Sequence, residues 1–125
     1  MTTLEPFEPV AASALDLEHE SVSGDARAEG SPQTGSAELL DVSEASLGVW
    51  EMTVGGMFDT EVDEVFVVIS GSARIALLDE DGNESNVIEV EPGSICRLTA
   101  GMRTRWDVSH TLRKFYVVGA PAVKA

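Results

Sequence analysis

The residues of this sequence with the most chemistry to offer are acids. Between Gly55 and Ser72 runs GGMFDTEVDEVFVVISGS, in which Asp59, Glu61, Asp63 and Glu64 crowd the approach to an apolar run from Val65 to Ile69. Glu64 stands at the mouth of that run. A carboxylate in such a place accepts hydrogen bonds from a turn, pairs with a cation, or, where it faces a pocket, exchanges protons. Four carboxylates together could also draw Ca or Mg, which take oxygen ligands. Side-chain alternation, however, puts Asp59, Glu61 and Asp63 on one strand face and Glu64 on the other, so a solvated acidic rim is expected rather than a converging cluster. Arg103 and Arg105, spaced by two, have the forks of an anion clamp, but exposed strand residues balancing an acidic protein is the expected role. Cys96 lies in an apolar strand with Arg97 pointing the other way, the setting of an inert buried thiol rather than a nucleophile. The run from Asp79 to Asn83 lacks the third Asp and distal Glu of an EF-hand loop and reads as a hairpin turn.

The formal net charge is −14 over 125 residues. It is uneven, with ten acids against one base before residue 47 and twelve against seven after it. Such a balance repels phosphate backbones and anionic lipid, so neither nucleic acid nor membrane is expected as a partner. The length is that of one domain able to bury roughly two-thirds of the surface its unfolded form exposes, which needs no staple. A single cysteine leaves no disulfide within the chain, and no basic start followed by an apolar run resembles a signal peptide. No apolar stretch approaches the roughly 20 residues that span a bilayer. A cytoplasmic protein is the expectation.

The elements that must position these residues read as strands. Residues 1–38 are rich in Glu, Ala, Ser, Pro and Gly with weak periodicity, and an irregular acidic arm is expected there. Residues 39–125 change character to short strands with regular punctuation. Leu47 to Val54 alternates and ends at Gly55-Gly56. Val65 to Ile69 reads as a strand buried on both faces, closed by a turn at Ser70, Gly71 and Ser72. Ala73 to Leu78, Val87 to Val90, Ile95 to Thr99, Thr104 to Val108 and Leu112 to Val118 follow, separated by turn residues. About seven or eight closely spaced strands without helical period predict an all-β antiparallel sandwich or barrel. In the strand at 104, the large apolar Trp106 turns the face of Thr104, Trp106 and Val108 inward. In the last strand Lys114 and Tyr116 share one face and Arg113 and Phe115 the other, and both faces carry apolar residues.

Glu64, six residues, then Gly71 reproduces the end of the first cupin motif, and Gly93, five residues, then Thr99-Ala100-Gly101 resembles the second. GVWEMTVGG at Gly48, TAGMRTRWDV at Thr99 and LRKFYVV at Leu112 look like the cupin subgroup of ureidoglycine aminohydrolase and the ethanolamine-utilisation cupins. The likeness spans about residues 40 to 118. It implies a small antiparallel jelly-roll (cupin) barrel with a pocket at one open end, assembled as a homodimer. Histidine-bearing cupins hold Mn, Fe, Ni or Zn there with two His, the Glu and a third His. Here the first two positions fall on Phe58 and Thr60, or on Met57 and Asp59, and the third on Thr104, while His19 and His110 stand elsewhere. Only Glu64 matches, so no metal and no cofactor are expected. The Arg-Lys ending of the subgroup implies that Lys114 enters the pocket, as the cation beside Glu64.

The expected function is therefore a metal-free cupin domain that binds an unidentified small molecule. Its pocket would be built from Thr60, Glu64, Thr104, Trp106, Lys114 and Tyr116. An enzyme of lyase, isomerase or aminohydrolase type is the alternative, with Glu64 and Lys114 as a catalytic acid-base pair on a ureido or sugar-like substrate. A non-catalytic structural oligomer with a filled barrel is the third.

Overall fold

The computed structural model describes residues 3–42 and 44–119; residues 120–125 of the expected barrel lie outside it. Nine strands and two single-turn 3-10 helices, Ala12–Ala14 and Gly24–Ala26, make up its regular structure. The strands are β1 (Glu20–Ser21), β2 (Arg27–Glu29), β3 (Gln33–Val42), β4 (Ala45–Met52), β5 (Gly55–Thr60), β6 (Glu64–Leu78), β7 (Glu84–Val90), β8 (Ile95–Leu98) and β9 (Arg103–Gly119). Every pairing is antiparallel. An all-β antiparallel chain is what the strand spacing predicts.

Two long strands, β6 and β9, belong to both halves of the curled sheet. Glu64 to Val68 of β6 pairs with Val118 to Lys114 of β9, and Ala73 to Leu77 pairs with Val108 to Thr104. Between these stretches the register slips repeatedly around Ser70 and Ser72. On its other edge β9 carries β4 along Leu112 to Gly119 and β5 along Arg103 to Val108. One half of the sheet therefore runs β3, β4, β9, β6, β8, and the other β2, β5, β9, β6, β7.

The expected turn at 70–72 is thus a bend, and the two expected closing strands are one. Gly71 is the reason: it sits at φ +83°, and a Cβ there would collide with the Thr111 carbonyl. A residue without a side chain lets the strands turn the corner at close quarters without ending the ladder. A second difference concerns burial. Phe66 and Val68 are buried, but Val65 is exposed and Val67 and Ile69 only half-buried, so one face of the apolar run meets solvent. Length and apolar content suggest full burial, yet this sheet has its core on one side only.

The N-terminal region is also more ordered than its composition suggests. The boundary drawn at residue 38 falls inside β3, which pairs with the whole of β4. Further back the arm is held at separated points. Leu4 N–H donates to the Leu39 carbonyl, Arg113 Nη1 donates to the Ala12 carbonyl, and His19 Nε2 lies 2.7 Å from Glu51 Oε2. The core proper lies between the sheet halves, where Met52, Met57, Phe66, Val68, Ile75, Leu98, Trp106, Val108 and Leu112 pack together. The loop after β6 is the expected hairpin turn, with Asp79 Oδ1 accepting from the backbone N–H groups of Asp81 and Asn83.

Candidate functional site

Cross-strand rows build one wall of a cavity at the open end of the barrel. Trp50 on β4 stands beside Lys114 on β9, and Lys114 beside Val68 on β6. Gly48, Tyr116 and Phe66 make the next row, and Ser46, Val118 and Glu64 the next. Residues directly opposite in neighbouring strands share a face, so these rows present one surface. The opposing half adds Asp59 from β5 and Trp106 from β9, the link between β5 and β6 adds Glu61, and Ser36 on β3 completes the lining. The volume of this open cavity is about 280 Å³. A larger trough of about 1710 Å³ runs between residues 3–18 of the arm and β3. Apart from Leu39 its walls are exposed or half-buried, so it gathers no buried polar groups and the chemistry sits in the smaller cavity.

Glu64 and Lys114 meet in that cavity. Lys114 Nζ donates to Glu64 Oε2 at 2.7 Å, and both residues are buried. The same ammonium lies 4.7 Å from the Trp50 ring centroid, 4.5 Å from Phe66 and 4.7 Å from Trp106. Three ring faces and one carboxylate therefore replace its water. Ring quadrupoles attract a desolvated cation by up to about 2 kcal/mol each, and the carboxylate balances its charge. Packing also answers which face of the last strand lines the cavity: Lys114, Tyr116 and Val118 face it. Tyr116 fits because Gly48 lies beneath it; a Cβ on Gly48 would overlap the phenol oxygen. Burial raises the Tyr116 phenol above its ordinary range, helped by repulsion from Glu38 and Glu64.

Glu64 and Asp63 overturn the expected parity. Strand β5 ends at Thr60 and β6 starts at Glu64, so alternation does not run through the intervening residues. Asp59, Glu61 and Glu64 converge on the cavity, and Asp63 turns away to accept from the Ala100 N–H. Glu61 is 6% exposed. Its Oε2 accepts from Thr104 Oγ1 at 2.6 Å and from Trp106 Nε1 at 2.9 Å. Asp59 stands at the rim, exposed as a residue, yet its carboxyl pKa is pushed up from 3.8 to about 6. Desolvation is the leading cause and repulsion from Glu61 the next. Desolvation can act at a rim because it depends on what surrounds the carboxyl, not on the exposure of the rest of the residue.

Of the six residues expected in the pocket, Glu64, Trp106, Lys114 and Tyr116 line it. Thr104 stands behind Glu61 as its hydrogen-bond donor and outside the lining. Thr60 is exposed and away from the cavity, its N–H donating to Asp59 Oδ1. Arg105 spends its guanidinium on Asp107 and Glu29, and Arg103 is exposed, so the two do not clamp an anion. Cys96 is half-buried, and burial raises its thiol pKa. Ser36, Ser46, Trp50, Asp59, Glu61 and Val118 line the cavity as well, outside the expected set. Ser46 shares parity with Gly48 and Trp50, which is a usable signal; Ser36 lies in the stretch that reads as irregular and offers none.

The residues present do not fit the metal of histidine-bearing cupins. Lys114 Nζ already holds the Glu64 carboxylate, where it would repel a divalent ion, and the remaining ligand positions carry no imidazole. Among the described residues no group of three or more His, Cys, Asp or Glu is placed to hold a metal ion. Also among them, no helix is long and apolar enough to cross a membrane.

Residues 40–116 match the family model of the EutQ-like cupin domain. No curated protein matches the chain. Among solved structures, the EutQ protein of Clostridium difficile is similar with a TM-score of 0.60 and 21% identity, over 70% of this chain and 68% of that one. A cupin superfamily protein from Desulfitobacterium hafniense DCB-2 reaches 0.65 at 11% identity, over 96% and 97%. The ethanolamine utilization protein Q structure from Salmonella typhimurium LT2 gives 0.59 at 15%, over 85% and 97%. At such identities the structures establish the jelly-roll fold, and the family match, which covers most of the chain and includes Glu64 and Lys114, shows that the chain belongs to the EutQ-like cupin domain family.

Proposed function

We propose that this domain binds a small polar molecule in the cavity at Glu64 and Lys114, where a buried ion pair stands in place of a metal. The observation that carries this reading is the buried pair of Lys114 and Glu64 within three aromatic rings, open to a cavity with hydroxyl, carboxylate and indole groups on its walls. An apolar pocket with a few convergent polar groups is the common form of a ligand site. The cavity favours binding over a barrel that is filled and purely structural. Homodimerisation, a cytoplasmic setting and the absence of nucleic-acid and membrane partners belong to the same proposal, resting on the family likeness and the net charge of −14.

Acid-base catalysis on a small polar substrate is a second reading, favoured by Asp59. A carboxyl titrating near 6 at a cavity rim suits proton transfer near neutral pH better than the locked pair of Glu64 and Lys114 does. The binding reading is tested by ligand-observed NMR against a panel of small polar compounds, with wild-type protein and with Ser46→Phe, which fills the cavity. Compounds that bind wild type and are lost in the folded variant are the expected result. Binding that survives the variant, or none across the panel, would overturn the proposal.

A further inference from the structure

The charges around the cavity do not balance. Three carboxylates, Asp59, Glu61 and Glu64, face a single ammonium, that of Lys114. Glu64 takes the whole of that cation: the two side chains are 8% and 6% exposed and 2.7 Å apart, with ring faces closing the other sides of Nζ. Little of the lysine charge is left to hold an anion. Glu61 is nine-tenths buried, lines the cavity, and receives both of its donors, Thr104 and Trp106, on Oε2. Its Oε1 has no donor among the described residues. A buried carboxylate oxygen without a partner is an unmet acceptor that a ligand can satisfy.

We propose that the cavity takes a small organic ammonium ion, held by Glu61 Oε1 and Asp59, with its carbon skeleton against Trp50 and Trp106 and its hydroxyls toward Ser36, Ser46 and Tyr116. The inference rests on the reading that this cavity is a ligand site and adds the charge of the ligand to it. Cations gain from the site, while anions meet two carboxylates with no free counter-charge. The raised pKa of Asp59 follows from the same deficit, since burial and Glu61 both oppose its ionisation. A bound ammonium reverses that, so affinity should fall as pH drops through about 6 and Asp59 takes up a proton. The groups facing Asp59 that set this response are Glu61 in the β5–β6 link, Glu64 on β6 and Lys114 on β9. The strongly acidic surface raises the local concentration of cations as well.

Three probes with one carbon skeleton separate charge from shape: 2-amino-1,3-propanediol as its ammonium, glycerol, and glycerate. Calorimetric titration at low salt and neutral pH should show saturable binding of the ammonium, about tenfold or more weaker binding of glycerol, and none of glycerate. Glu61→Gln and Asp59→Asn should each reduce ammonium affinity by about tenfold and affect glycerol clearly less; Asp59→Asn, at the rim, serves if Glu61→Gln fails to fold. Equal affinity for glycerol would overturn the charge assignment and keep the cavity as a binding site. Preference for glycerate, or no saturable ammonium binding at millimolar concentration, would overturn the inference outright.

Discussion

Two ion pairs of this barrel share a contact distance but not a setting: an ammonium with a carboxylate at the cavity and a guanidinium with a carboxylate on the exposed surface. At the cavity, Lys114 and Glu64 meet at 2.7 Å with side chains 6% and 8% exposed. On the exposed surface, Arg74 and Glu84 also meet at 2.7 Å, with side chains 43% and 40% exposed, next to a groove of about 620 Å³ where Arg74, Glu29 and Asp107 gather. Equal distance does not mean equal energy. The outer pair keeps its water and is screened by salt, so its partners can part at little cost. Removing one member of the inner pair strands a charge among three rings. Burial, not charge pairing, is what makes one end of the barrel a place where ligand and protein chemistry can differ from that in water.

The largest effect that would break this comparison is at Lys114. Lys114→Met leaves Glu64 buried without its cation and should cost about 3–5 kcal/mol in urea unfolding. Glu64→Gln should be of similar size, and the double variant should cost clearly less than the two together, because no orphan charge remains. Additive small changes would make the inner pair equivalent to the outer one.

Next comes Gly48→Ala, which sets a Cβ against the phenol of Tyr116 and the Ala37 carbonyl. Overpacking of this kind costs about 1–3 kcal/mol, and the readout is the urea midpoint together with a changed Tyr116 ring signal in NMR. An unchanged ring signal would mean that Tyr116 does not lie over Gly48.

A smaller effect sharpens the contrast through pH. The folded-state pKa of Asp59 is about 6 against an ordinary 3.8. Between those values the folded state holds more protons than the unfolded one, so the Asp59 contribution is present below about pH 4 and is lost as pH rises through 6. The difference in urea midpoint between Asp59→Asn and wild type should therefore move in favour of the variant as pH rises from 4 to 7. A constant difference would place Asp59 in ordinary solvent. Least is expected at the outer pair: Arg74→Ala should leave the urea midpoint within error, and added salt should erase any coupling to Glu84.

Much of the barrel is written in its punctuation. Asp-Gly at 81–82 marks a real reversal, Pro-Gly at 92–93 and Ala-Gly at 100–101 mark real turns between strands, and the inward face of Thr104, Trp106 and Val108 follows from parity once Trp106 is assigned to the core. Lys114 could be assigned only by family likeness, because the Phe115 face of its strand is apolar too. The convergence of Glu61 with Glu64 was unreadable for a different reason. Alternation holds only while the backbone stays extended, and three residues between β5 and β6 broke the count without any Gly or Pro to announce it. The same blind spot hid β3, whose Gln-Thr-Gly-Ser start has the composition of a loop and becomes a strand because β4 offers it an edge.

Strand β9 carries a consequence for how the protein is made. It supplies a central ladder to both halves of the sheet, to β4 and β6 on one side and to β5 and β6 on the other. During synthesis the β3–β4 and β6–β7 hairpins can form as they emerge, but the β5 half cannot close until residue 108 has left the ribosome, nor the β4 half until residue 119 has. Until then the apolar faces of β4, β5 and β6 have no lid. A nascent chain of this kind depends on fast completion or on chaperone cover, and slow translation over its last third should show up as aggregation rather than as a misfolded monomer.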